Sequence, residues 1–530
     1  MDNEYDVLIM GGGLSGLTLA IQLKRQLSQL RILIVEKMIH PVPEAAHKVG
    51  ESSVEIASHY FEHVLGLKTQ LDNELPKLGL RFFYSDKDNQ AIEKRIELGP
   101  HHFPAAKSYQ IDRGRFENSL AELCVDLGVE FLDNAKVKSM TLVKLENQIS
   151  IEKNGHIQEV KGTWLVDASG RMSLLKRQLK LAKPAYHDVN SSWFRINHEI
   201  SIDDWSDNTE WQNRVKAPRR LSTNHLMGHG YWVWLIPLAS GATSIGIVAD
   251  AKIHSYKEIN TFEHAQEWLK KHEPQCAAII EQHIENFQDF LTLKHYSHNC
   301  KQMYSSDGWA ITGDAGVFLD PFYSPGSDFI ALNNSFITDL IVKQQTGEQI
   351  VERTQQHEKL FRTLFLAFSP VYEDQYPIMG NAKVMSLKII WDYTLYWSGV
   401  ALLFFRNKFC DVEFMQTASA SLQKIYHINL QMQQFLRHWA EVDVSSTAKT
   451  DIFINYSEII YLQQLNKDLL DELTNEALEK KLASNLVLIK KVANEIYTEA
   501  CTDFVELENY APEIKSSEAV YLNDVFKLIR

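Results

Sequence analysis

Three glycines near the start of the chain have the spacing of a nucleotide-binding turn. Gly11, Gly13 and Gly16 follow an apolar run at residues 6–10 and precede a segment of helical pattern that begins near Leu17. In a G-x-G-x-x-G turn the first glycine permits the tight bend, the second lets a pyrophosphate approach the backbone, and the third lets the helix pack on its strand. The start of that helix also offers unpaired N–H groups to phosphate oxygens. The spacing predicts that a dinucleotide binds here.

An acidic residue stands where such a turn needs one. A second apolar run at residues 31–35 ends at Glu36, which lies about 20 residues beyond Gly16, where a carboxylate accepts hydrogen bonds from a ribose hydroxyl. The combination of turn, flanking strands and Glu36 is much more specific than the glycines alone. The contacts expected from this region are Gly11, Gly13, Leu14, Ser15, Gly16, Glu36 and Lys37.

Three later segments indicate which dinucleotide binds. Residues 110–116 have a Q-x-D-R-x-x-F pattern that includes Arg113, residues 164–170 form an apolar run ending in D-x-S-G at Asp167, and residues 308–315 end in G-D-A at Gly313 and Asp314. Each segment alone also fits ordinary structure, since Arg113 suits an exposed helix face and Asp314 suits a helix cap. In this order, the set resembles the FAD-binding motifs of flavoprotein hydroxylases. The resemblance implies FAD, with Arg113, Asp167, Gly313 and Asp314 near it.

Two further patterns narrow the resemblance. Residues 231–237 match W-x-W-x-I-P, residues 318–326 match F-x-x-P-x-x-S-x-G, and residues 48–53 are similar to a V-G-E-[SA]-[ST] stretch. Over roughly residues 5–335 the chain resembles the flavin-dependent, tryptophan-halogenase-like halogenases. For the two tryptophans, packing on one face of a strand is the ordinary alternative. The resemblance places Ser52 and Gly326 at the cofactor and implies a substrate pocket made of Trp232, Trp234, Pro237, Phe318, Pro321 and Tyr323.

The resemblance also implies a mechanism and a lysine. In that family reduced FAD and dioxygen form a flavin hydroperoxide, halide attacks it, and hypohalous acid reaches a lysine beside an electron-rich ring. Lys77, within a K-x-G-x-x-F stretch, is the candidate for that lysine, although an exposed loop lysine is the alternative. Ser324 and Gly326 are the candidates for binding halide, so the expected catalytic residues are Lys77, Ser324 and Gly326.

Two departures from the family pattern affect the expected reaction. Tyr323 stands where tryptophan-specific members carry a glutamate, which disfavours free tryptophan and favours a phenolic, pyrrolic or carrier-bound substrate. Pro325 stands where members usually carry Ser or Thr, and proline has neither a backbone N–H nor a hydroxyl to offer a halide. Each hydrogen bond to a charged group is worth about 1.5–3 kcal/mol, so the loss of two weakens halide binding considerably.

The sequence therefore predicts, first, an FAD-dependent monooxygenase that activates dioxygen and oxygenates an aromatic or conjugated metabolite. A true halogenase of a phenolic, pyrrolic or carrier-bound substrate is the main alternative. A flavin-dependent reductase or saturase is a weaker alternative, because that function does not account for the W-x-W-x-I-P pattern. A flavin-bound scaffold without enzymatic activity is also a weaker alternative. No second glycine fingerprint for NAD(P)H is present, so a separate flavin reductase is the expected partner.

The elements that position these residues follow a mixed pattern. We predict a β-α-β unit over residues 1–40, helices over 50–75 and 110–127, a strand over 80–84, and further strands within 192–250. From about residue 328 the spacing is helical. The expected fold class is α/β: a Rossmann-like FAD-binding core at 1–335, with an inserted substrate-side sheet at about 80–110 and 180–300, followed by a helical lobe at 336–530.

Composition limits the remaining possibilities. The net charge of −14 argues against nucleic acid as a partner, and five scattered cysteines suit a reduced compartment and provide no metal motif. The acidic first residues do not predict a secretory signal. The most apolar run, residues 393–405, is shorter than the roughly 20 residues that a bilayer span requires. It predicts a buried helix, or alternatively contact with a membrane surface, in a cytoplasmic protein.

Overall fold

The computed structural model describes residues 3–45, 49–443, 452–512 and 521–529. Lys48, the first residue of the predicted stretch at 48–53, lies outside these ranges. The chain divides into two units: a first unit of Met1–Glu74, Ile111–Tyr186 and Ser297–Leu366, and a second unit of Leu75–Gln110, His187–Tyr296 and Ala367–Arg530.

The described residues contain strands in both units. In chain order they are β1 (Glu4–Met10), β2 (Ile32–Val35), β3 (Leu75–Pro76), β4 (Leu80–Tyr84), β5 (Glu97–Gly99), β6 (Tyr109–Gln110), β7 (Glu130–Leu132), β8 (Lys136–Thr141), β9 (Asn147–Lys153), β10 (His156–Asp167), β11 (Ala182–Lys183), β12 (Val189–Ile196), β13 (Thr223–Gly228), β14 (Tyr231–Pro237), β15 (Thr243–Asp250), β16 (Phe287–Leu293), β17 (Asn299–Cys300), β18 (Tyr304–Ser305), β19 (Trp309–Ile311) and β20 (Phe453–Asn455).

The α-helices of the described residues are α1 (Leu14–Gln26), α2 (Glu55–His59), α3 (Lys68–Leu71), α4 (Arg113–Asp126), α5 (Leu174–Gln178), α6 (Thr209–Asn213), α7 (Phe262–His272), α8 (Pro274–Gln282), α9 (Gly326–Gln345), α10 (Val351–Phe368), α11 (Ala382–Leu395), α12 (Ala401–Phe405), α13 (Val412–Val442), α14 (Ile460–Asp468), α15 (Asn475–Asp503) and α16 (Asn523–Ile529). Turns of π-helix follow α2, at Tyr60–Val64, and α11, at Tyr396–Val400, so the helix predicted over 50–75 is interrupted.

The first unit is built on a largely parallel sheet with the strand order β18-β19-β10-β1-β2-β7. Strands β19, β10, β1, β2 and β7 run parallel, and the central residues Val7, Leu8 and Ile9 are fully buried, as expected for a parallel sheet covered on both faces. Parallel strands carry their carboxyl ends to one edge. That edge holds the ends of β1, β10 and β19, where ligands of open α/β sheets bind.

The second unit contains a sheet with the strand order β16-β12-β15-β14-β13-β4-β5-β20. One face of this sheet packs on α7 and α8 through apolar side chains such as Phe83, Leu226 and Val233. Side chains alternate along a strand, so their sequence neighbours, among them Phe82, His225 and Trp232, lie on the opposite face. We call this opposite side the aromatic face; it carries the predicted pocket residues Trp232 and Trp234, whereas Phe318, Pro321 and Tyr323 belong to the first unit.

The C-terminal region differs from its prediction in two respects. It is helical as expected, but β20 pairs in parallel with β5, Phe453 lying opposite Glu97, inside the sheet of the second unit. The unit boundary also falls at residue 366 rather than 335, because α9 and α10 belong with the first unit and the later helices with the second. The apolar run at 393–405 forms the end of a helical segment whose Ala401, Leu402 and Leu403 are buried, which agrees with the buried-helix prediction.

Candidate functional site

The structure gives a different reason for glycine at each of the three fingerprint positions. Gly11 has φ +118°, and a Cβ there would lie 2.3 Å from the carbonyl oxygen of Ala168. A Cβ on Gly16 would lie 2.0 Å from the carbonyl oxygen of Gly11, which explains the close packing of α1 on its turn. At Gly13 the nearest atom to a Cβ is the Oε2 of Glu117, 3.9 Å away. Gly13 therefore borders open space at the start of the helix, where we expect a pyrophosphate to approach.

The start of α1 is free to bind an anion. Gly13 caps the helix with no side-chain hydrogen bond, the first turn contains no acidic residue, and the first intrahelical bond runs from the N–H of Leu17 to the carbonyl of Gly13 at 3.0 Å. The preceding N–H groups, those of Leu14, Ser15 and Gly16, have no acceptor within the helix. Three aligned donors with the helix dipole behind them fit the phosphates of FAD.

Glu36 is positioned by the backbone around it. Its buried carboxylate accepts the N–H of Gly12 and the N–H of Met38, both at 2.7 Å, one on each oxygen. A carboxylate has about four acceptor positions, so two remain for the hydroxyls of a ribose. The side chain of Lys37 is exposed beside it.

The G-D-A segment packs against the fingerprint. Gly313 has φ +59°, and a Cβ there would lie 2.9 Å from the Oγ of Ser15. The N–H of Thr312 donates to the carbonyl of Asp167 at 2.9 Å, so the segment follows directly from the parallel sheet. Asp314 is half-buried, and its main-chain carbonyl is held by the Nε2 of His298 at 2.9 Å. The structure thus brings two motifs some 300 residues apart in sequence to one edge of the sheet.

Asp167 is used within its own turn. Its buried carboxylate accepts the N–H of Ser169 at 3.0 Å, the hydroxyl of Ser169 at 2.6 Å and the N–H of Leu175 at 2.7 Å. Burial raises the pKa of this carboxyl, while these hydrogen bonds act in the opposite direction. We therefore expect Asp167 to shape the turn and the backbone of the turn to meet the cofactor.

Arg113 joins two of the predicted motifs. Its Nη1 donates to the carbonyl of Val49 at 2.8 Å, and its Nε donates to the buried carboxylate of Glu117 at 3.0 Å. The stretch around Val49 continues to Ser52, which is also buried. The Q-x-D-R-x-x-F helix and the V-G-E stretch are therefore neighbours in the first unit.

The F-x-x-P-x-x-S-x-G segment forms a tight turn into α9. Tyr323 and Ser324 both have left-handed backbone conformations, with φ +66° and +59°, and the N–H of Ser324 donates to the carbonyl of Pro321 at 2.8 Å. Pro325 then caps α9, and Gly326 is its first residue. A Cβ on Gly326 would meet no atom within 4 Å, so the helix starts beside open space. Phe318, at the beginning of the segment, pairs with the backbone of His298.

Lys77 is buried in the second unit rather than exposed. Its side chain is only 1% exposed, and it has interaction partners. The backbone of its segment is fixed on several sides: the N–H of Lys77 donates to the carbonyl of Ser108 at 2.8 Å, and the carbonyl of Gly79 accepts the N–H of Thr223 at 3.0 Å. The hydroxyl of Tyr456 donates to the carbonyl of Leu80 at 3.0 Å. A flexible loop lysine would show none of these features.

The two tryptophans are held by different partners on the aromatic face. The indole N–H of Trp232 donates to the hydroxyl of Tyr376 at 2.9 Å, and that of Trp234 donates to the hydroxyl of Ser244 at 3.2 Å. Gly246 lies under Trp234, where a Cβ would come within 2.1 Å of the indole ring. Pro237 ends the same strand and is buried. The rings are therefore in fixed positions.

Sequence reasoning missed His225. Its ring stacks on Phe82 with centroids 4.6 Å apart, and its centroid lies 5.4 Å from that of Trp232, so it belongs to the same aromatic face as that predicted pocket residue. Its Nδ1 lies 3.0 Å from the carbonyl oxygen of Arg81. Burial lowers the pKa of His225 to about 3, and the charge of Lys77 acts in the same direction, against the carbonyls of Arg81 and Thr223. No motif signal marks this residue, because its position depends on strand register.

Comparison with known proteins identifies the family. The model of the FAD binding domain matches residues 4–316, well over half of the chain. The chain belongs to the FAD-binding domain family. The glycine fingerprint and the later motifs had predicted an FAD-binding protein. The predictions of FAD, of an FAD-dependent enzyme and of a Rossmann-like α/β fold are confirmed.

Named halogenases are among the relatives of this FAD-binding protein. It is 27% identical to the flavin-dependent halogenase chlA of Dictyostelium discoideum, over 75% of this chain and 70% of that protein. It is 26% identical to a chlorinase of carrier-bound pyrrole-2-carbonyl groups from Pseudomonas fluorescens, over 63% of this chain and 75% of that protein. The predicted resemblance to flavin-dependent halogenases is confirmed.

Solved structures show the same fold. Halogenase PltM aligns with a TM-score of 0.64 and 16% identity over 93% of this chain and 96% of its own. A flavoprotein/dehydrogenase from Cytophaga hutchinsonii aligns with a TM-score of 0.56 and 19% identity over 82% and 99%. Within the described ranges, none of the helices combines the length and apolarity needed to cross a bilayer.

Proposed function

We propose that this protein is a flavin-dependent halogenase of an electron-rich phenolic or pyrrolic ring. The observation that carries the proposal is the burial of Lys77 in the second unit, where its charge lowers the pKa of His225 on the aromatic face. Removing an ammonium group from water costs free energy, which a protein tolerates where the group has a function, and ring hydroxylation requires no lysine there. Relatives that are named halogenases support the same reaction. The proposal places halogenation ahead of oxygenation, which the sequence had favoured because of Pro325.

The residues of the first unit would bind and orient the cofactor. The N–H groups at the start of α1 would hold the pyrophosphate, and Glu36 would accept the ribose hydroxyls. When bound, reduced FAD supplies the electrons that activate dioxygen. The N–H groups at the start of α9, with Ser324 and Gly326, are the proposed site for halide.

The residues of the second unit would carry out the transfer to the ring. Trp232 and Trp234 exclude water from the substrate. The ammonium of Lys77 would hold the oxygen of hypohalous acid and donate a proton to it. As the ring carbon bonds to the halogen, the oxygen–halogen bond breaks, water leaves, and the ring then loses its own proton. A positioned general acid of this kind contributes about 10²- to 10⁴-fold to a rate.

The test uses the purified full chain with FAD, chemically reduced flavin, dioxygen, bromide and 1,3,5-trihydroxybenzene as the ring probe. We expect a bromide-dependent product by mass spectrometry, and we expect Lys77→Met to reduce its rate by about 100-fold while dioxygen is still consumed. Lys107→Met, which changes an exposed lysine of the same unit, is the matched control. Equal product from Lys77→Met and the native chain would contradict the proposal.

Hydroxylation of the same ring is a second candidate, and Pro325 is the observation that favours it. With one fewer backbone donor at the start of α9, a halide would bind weakly and water would compete for the oxidant. A product that gains one oxygen atom with or without bromide would support this candidate and exclude the first.

Partners and location belong to the same proposal. We propose a separate flavin reductase as the source of reduced flavin, and a carrier-bound acyl ring as one form of the substrate, since two relatives act on carrier-bound pyrrole. None of the five cysteines of the described residues is in a disulfide, which supports a reduced compartment such as the cytoplasm.

A further inference from the structure

A short segment of the first unit, residues 313–318, joins the G-D-A motif to the F-x-x-P-x-x-S-x-G motif. Just before it, the N–H of Thr312 donates to the carbonyl of Asp167 at 2.9 Å. At its other end, Phe318 pairs with the backbone of His298 through two hydrogen bonds, of 2.9 and 3.0 Å. Between these points, Gly313–Ala315 form one turn of 3₁₀-helix. Backbone pairing therefore fixes both ends of the segment, and the conformation of its middle depends on other contacts.

Two side chains of the same unit bond to the middle of this segment. The Nζ of Lys176 donates to the carbonyl of Gly316 at 2.7 Å, and the Nε2 of His298 donates to the carbonyl of Asp314 at 2.9 Å. A carbonyl oxygen can only accept, so Nε2 of His298 carries a hydrogen. With the pairing at Phe318, the main chain of every second residue from 314 to 318 is bonded to one of these two residues.

Lys176 is an unusual donor for a main-chain carbonyl. Its side chain, on α5, is 5% exposed, and within the described ranges its ammonium makes this one hydrogen bond and no ion pair. Burial lowers its pKa, against the raising effects of Cys300 and Asp167. The carboxylate of Asp167 is used within its own turn. A buried ammonium of this kind contributes little to stability, because its desolvation offsets the gain from the hydrogen bond.

A bond to a carbonyl also fixes the N–H on the other side of the same peptide. The trans peptide is planar, so a carbonyl and the following N–H point in opposite directions. The bond to Asp314 therefore fixes the direction of the N–H of Ala315, and the bond to Gly316 fixes that of Val317. The N–H of Val317 donates to the carbonyl of Gly313 at 3.3 Å, and Gly313 packs on Ser15 of the fingerprint helix. The two side chains thus determine the conformation of the turn that packs on the fingerprint.

We propose that Lys176 and His298 are positioning residues for FAD, which keep the G-D-A turn in the conformation that binds the cofactor. They act through the main chain of Gly316 and Asp314. The inference rests on the part of the proposed function in which the first unit binds FAD with this turn, and it does not depend on the chemistry at the ring. A chain that makes no brominated product therefore still tests it.

Two pairs of substitutions separate the hydrogen bonds from the bulk of the side chains. Lys176→Met and His298→Leu remove the donor, whereas Lys176→Gln and His298→Gln keep a side-chain N–H that can donate to the same carbonyl. Lys183→Met, which changes an exposed lysine of the same unit, is the matched control. We expect the unfolding midpoint of full-length Lys176→Met without FAD to stay close to the native value, because removal of a buried charge offsets loss of the bond.

The first readout is the dissociation constant of FAD, measured by flavin fluorescence titration of each full-length protein. We expect an increase of about tenfold in Lys176→Met and in His298→Leu, and of less than about threefold in the two glutamine variants. Lys183→Met should bind FAD as the native chain does. Native affinity in either Lys176→Met or His298→Leu, or no recovery in both glutamine variants, would overturn the inference. If His298→Leu does not fold, the comparison of Lys176→Met with Lys176→Gln decides.

The second readout follows the turn itself. Hydrogen exchange of the full chain before FAD is added, read by peptide mass spectrometry, compares a peptide that contains residues 312–318 with one that contains residues 11–17. We expect faster exchange at 312–318 in Lys176→Met and His298→Leu, and native exchange at 11–17. Weaker FAD binding with native exchange at 312–318 overturns the inference, because the residues would then act by another route. Faster exchange with weaker FAD binding supports it, even in a chain that fails as a halogenase.

Discussion

At the residue scale, two neighbouring glycines perform different tasks. Gly11 is required by the backbone itself, since its φ of +118° and the carbonyl of Ala168 leave no room for a Cβ. At Gly13 the protein itself imposes no such limit, because a Cβ there meets nothing closer than 3.9 Å, and we propose that only the ligand requires this glycine. Both roles follow from the G-x-G-x-x-G spacing, and the structure separates them.

This difference makes a testable pair. We expect Gly13→Ala to weaken FAD binding by about tenfold, or ~1.4 kcal/mol, with the unfolding midpoint of the FAD-free chain unchanged. We expect Gly11→Ala to lower that midpoint by several degrees, because it strains the turn. Flavin fluorescence titration and thermal unfolding measure the two effects. Equal loss of stability in both variants would contradict the assignment.

Glu74 gives a pH prediction at the same scale. Burial, with a contribution from Asp112, raises its pKa to about 8, while its hydrogen bond from the N–H of Asp112, at 2.7 Å, acts in the opposite direction. The folded chain therefore holds a proton here that the unfolded chain loses near pH 4.5. The stability from this group is complete below that pH and is lost as the pH rises through about 8.

Glu74→Gln keeps the acceptor for Asp112 and removes the titration. Between about pH 6 and pH 9 we expect the native unfolding midpoint to fall more steeply than that of Glu74→Gln. Thermal unfolding at constant ionic strength measures the difference. Parallel curves for the two proteins would show that Glu74 does not titrate in this range.

At the element scale, the start of α9 is the proposed halide site, and its backbone donors would determine how well a halide binds. The first helical N–H groups belong to Gly326, Ser327 and Asp328, and the N–H of Ser324 is already used by Pro321. Pro325 occupies the cap with φ −75° and provides no donor. The helix dipole favours an anion here, but the number of donors is reduced.

Pro325→Ser should restore the missing donors. A serine supplies an N–H and a hydroxyl at the cap, and each hydrogen bond to an anion is worth about 1.5–3 kcal/mol. We expect the bromide concentration at half-maximal rate to fall at least about tenfold and the brominated share of the product to rise. Steady-state kinetics with bromide as the varied substrate tests this. An unchanged bromide dependence would place the halide elsewhere.

At the scale of the whole molecule, the C-terminal region completes the second unit instead of forming a separate lobe. Strand β20 extends the sheet through β5, Tyr456 binds the backbone beside Gly79, and Tyr376 binds the indole of Trp232. These contacts link residues more than 140 positions apart in the sequence. The region therefore supports the segment that carries Lys77.

Ile454→Asp tests this support, since Ile454 is buried in β20. An unpaired buried carboxylate costs several kcal/mol, so we expect the second unit to unfold at a lower temperature and ring halogenation to fall with it. FAD affinity, which depends on the first unit, should change less than about twofold. Loss of stability without any loss of halogenation would show that β20 does not support the site.

The sequence alone determined the cofactor half of this protein. The prediction rested on a local turn and its two flanking strands, which contain Gly11, Gly13, Gly16 and Glu36. Residue spacing encodes local backbone geometry of this kind. The resemblance of the later motifs then correctly indicated FAD and the halogenase relatives.

Only the tertiary structure decided the rest. The burial of Lys77, the place of His225 on the aromatic face, and the partners Tyr376 and Tyr456 depend on strand register and on chain segments far apart in sequence. A one-residue change of register would move His225 to the opposite face. Such contacts arise from packing, and the spacing of residues along the chain does not encode them.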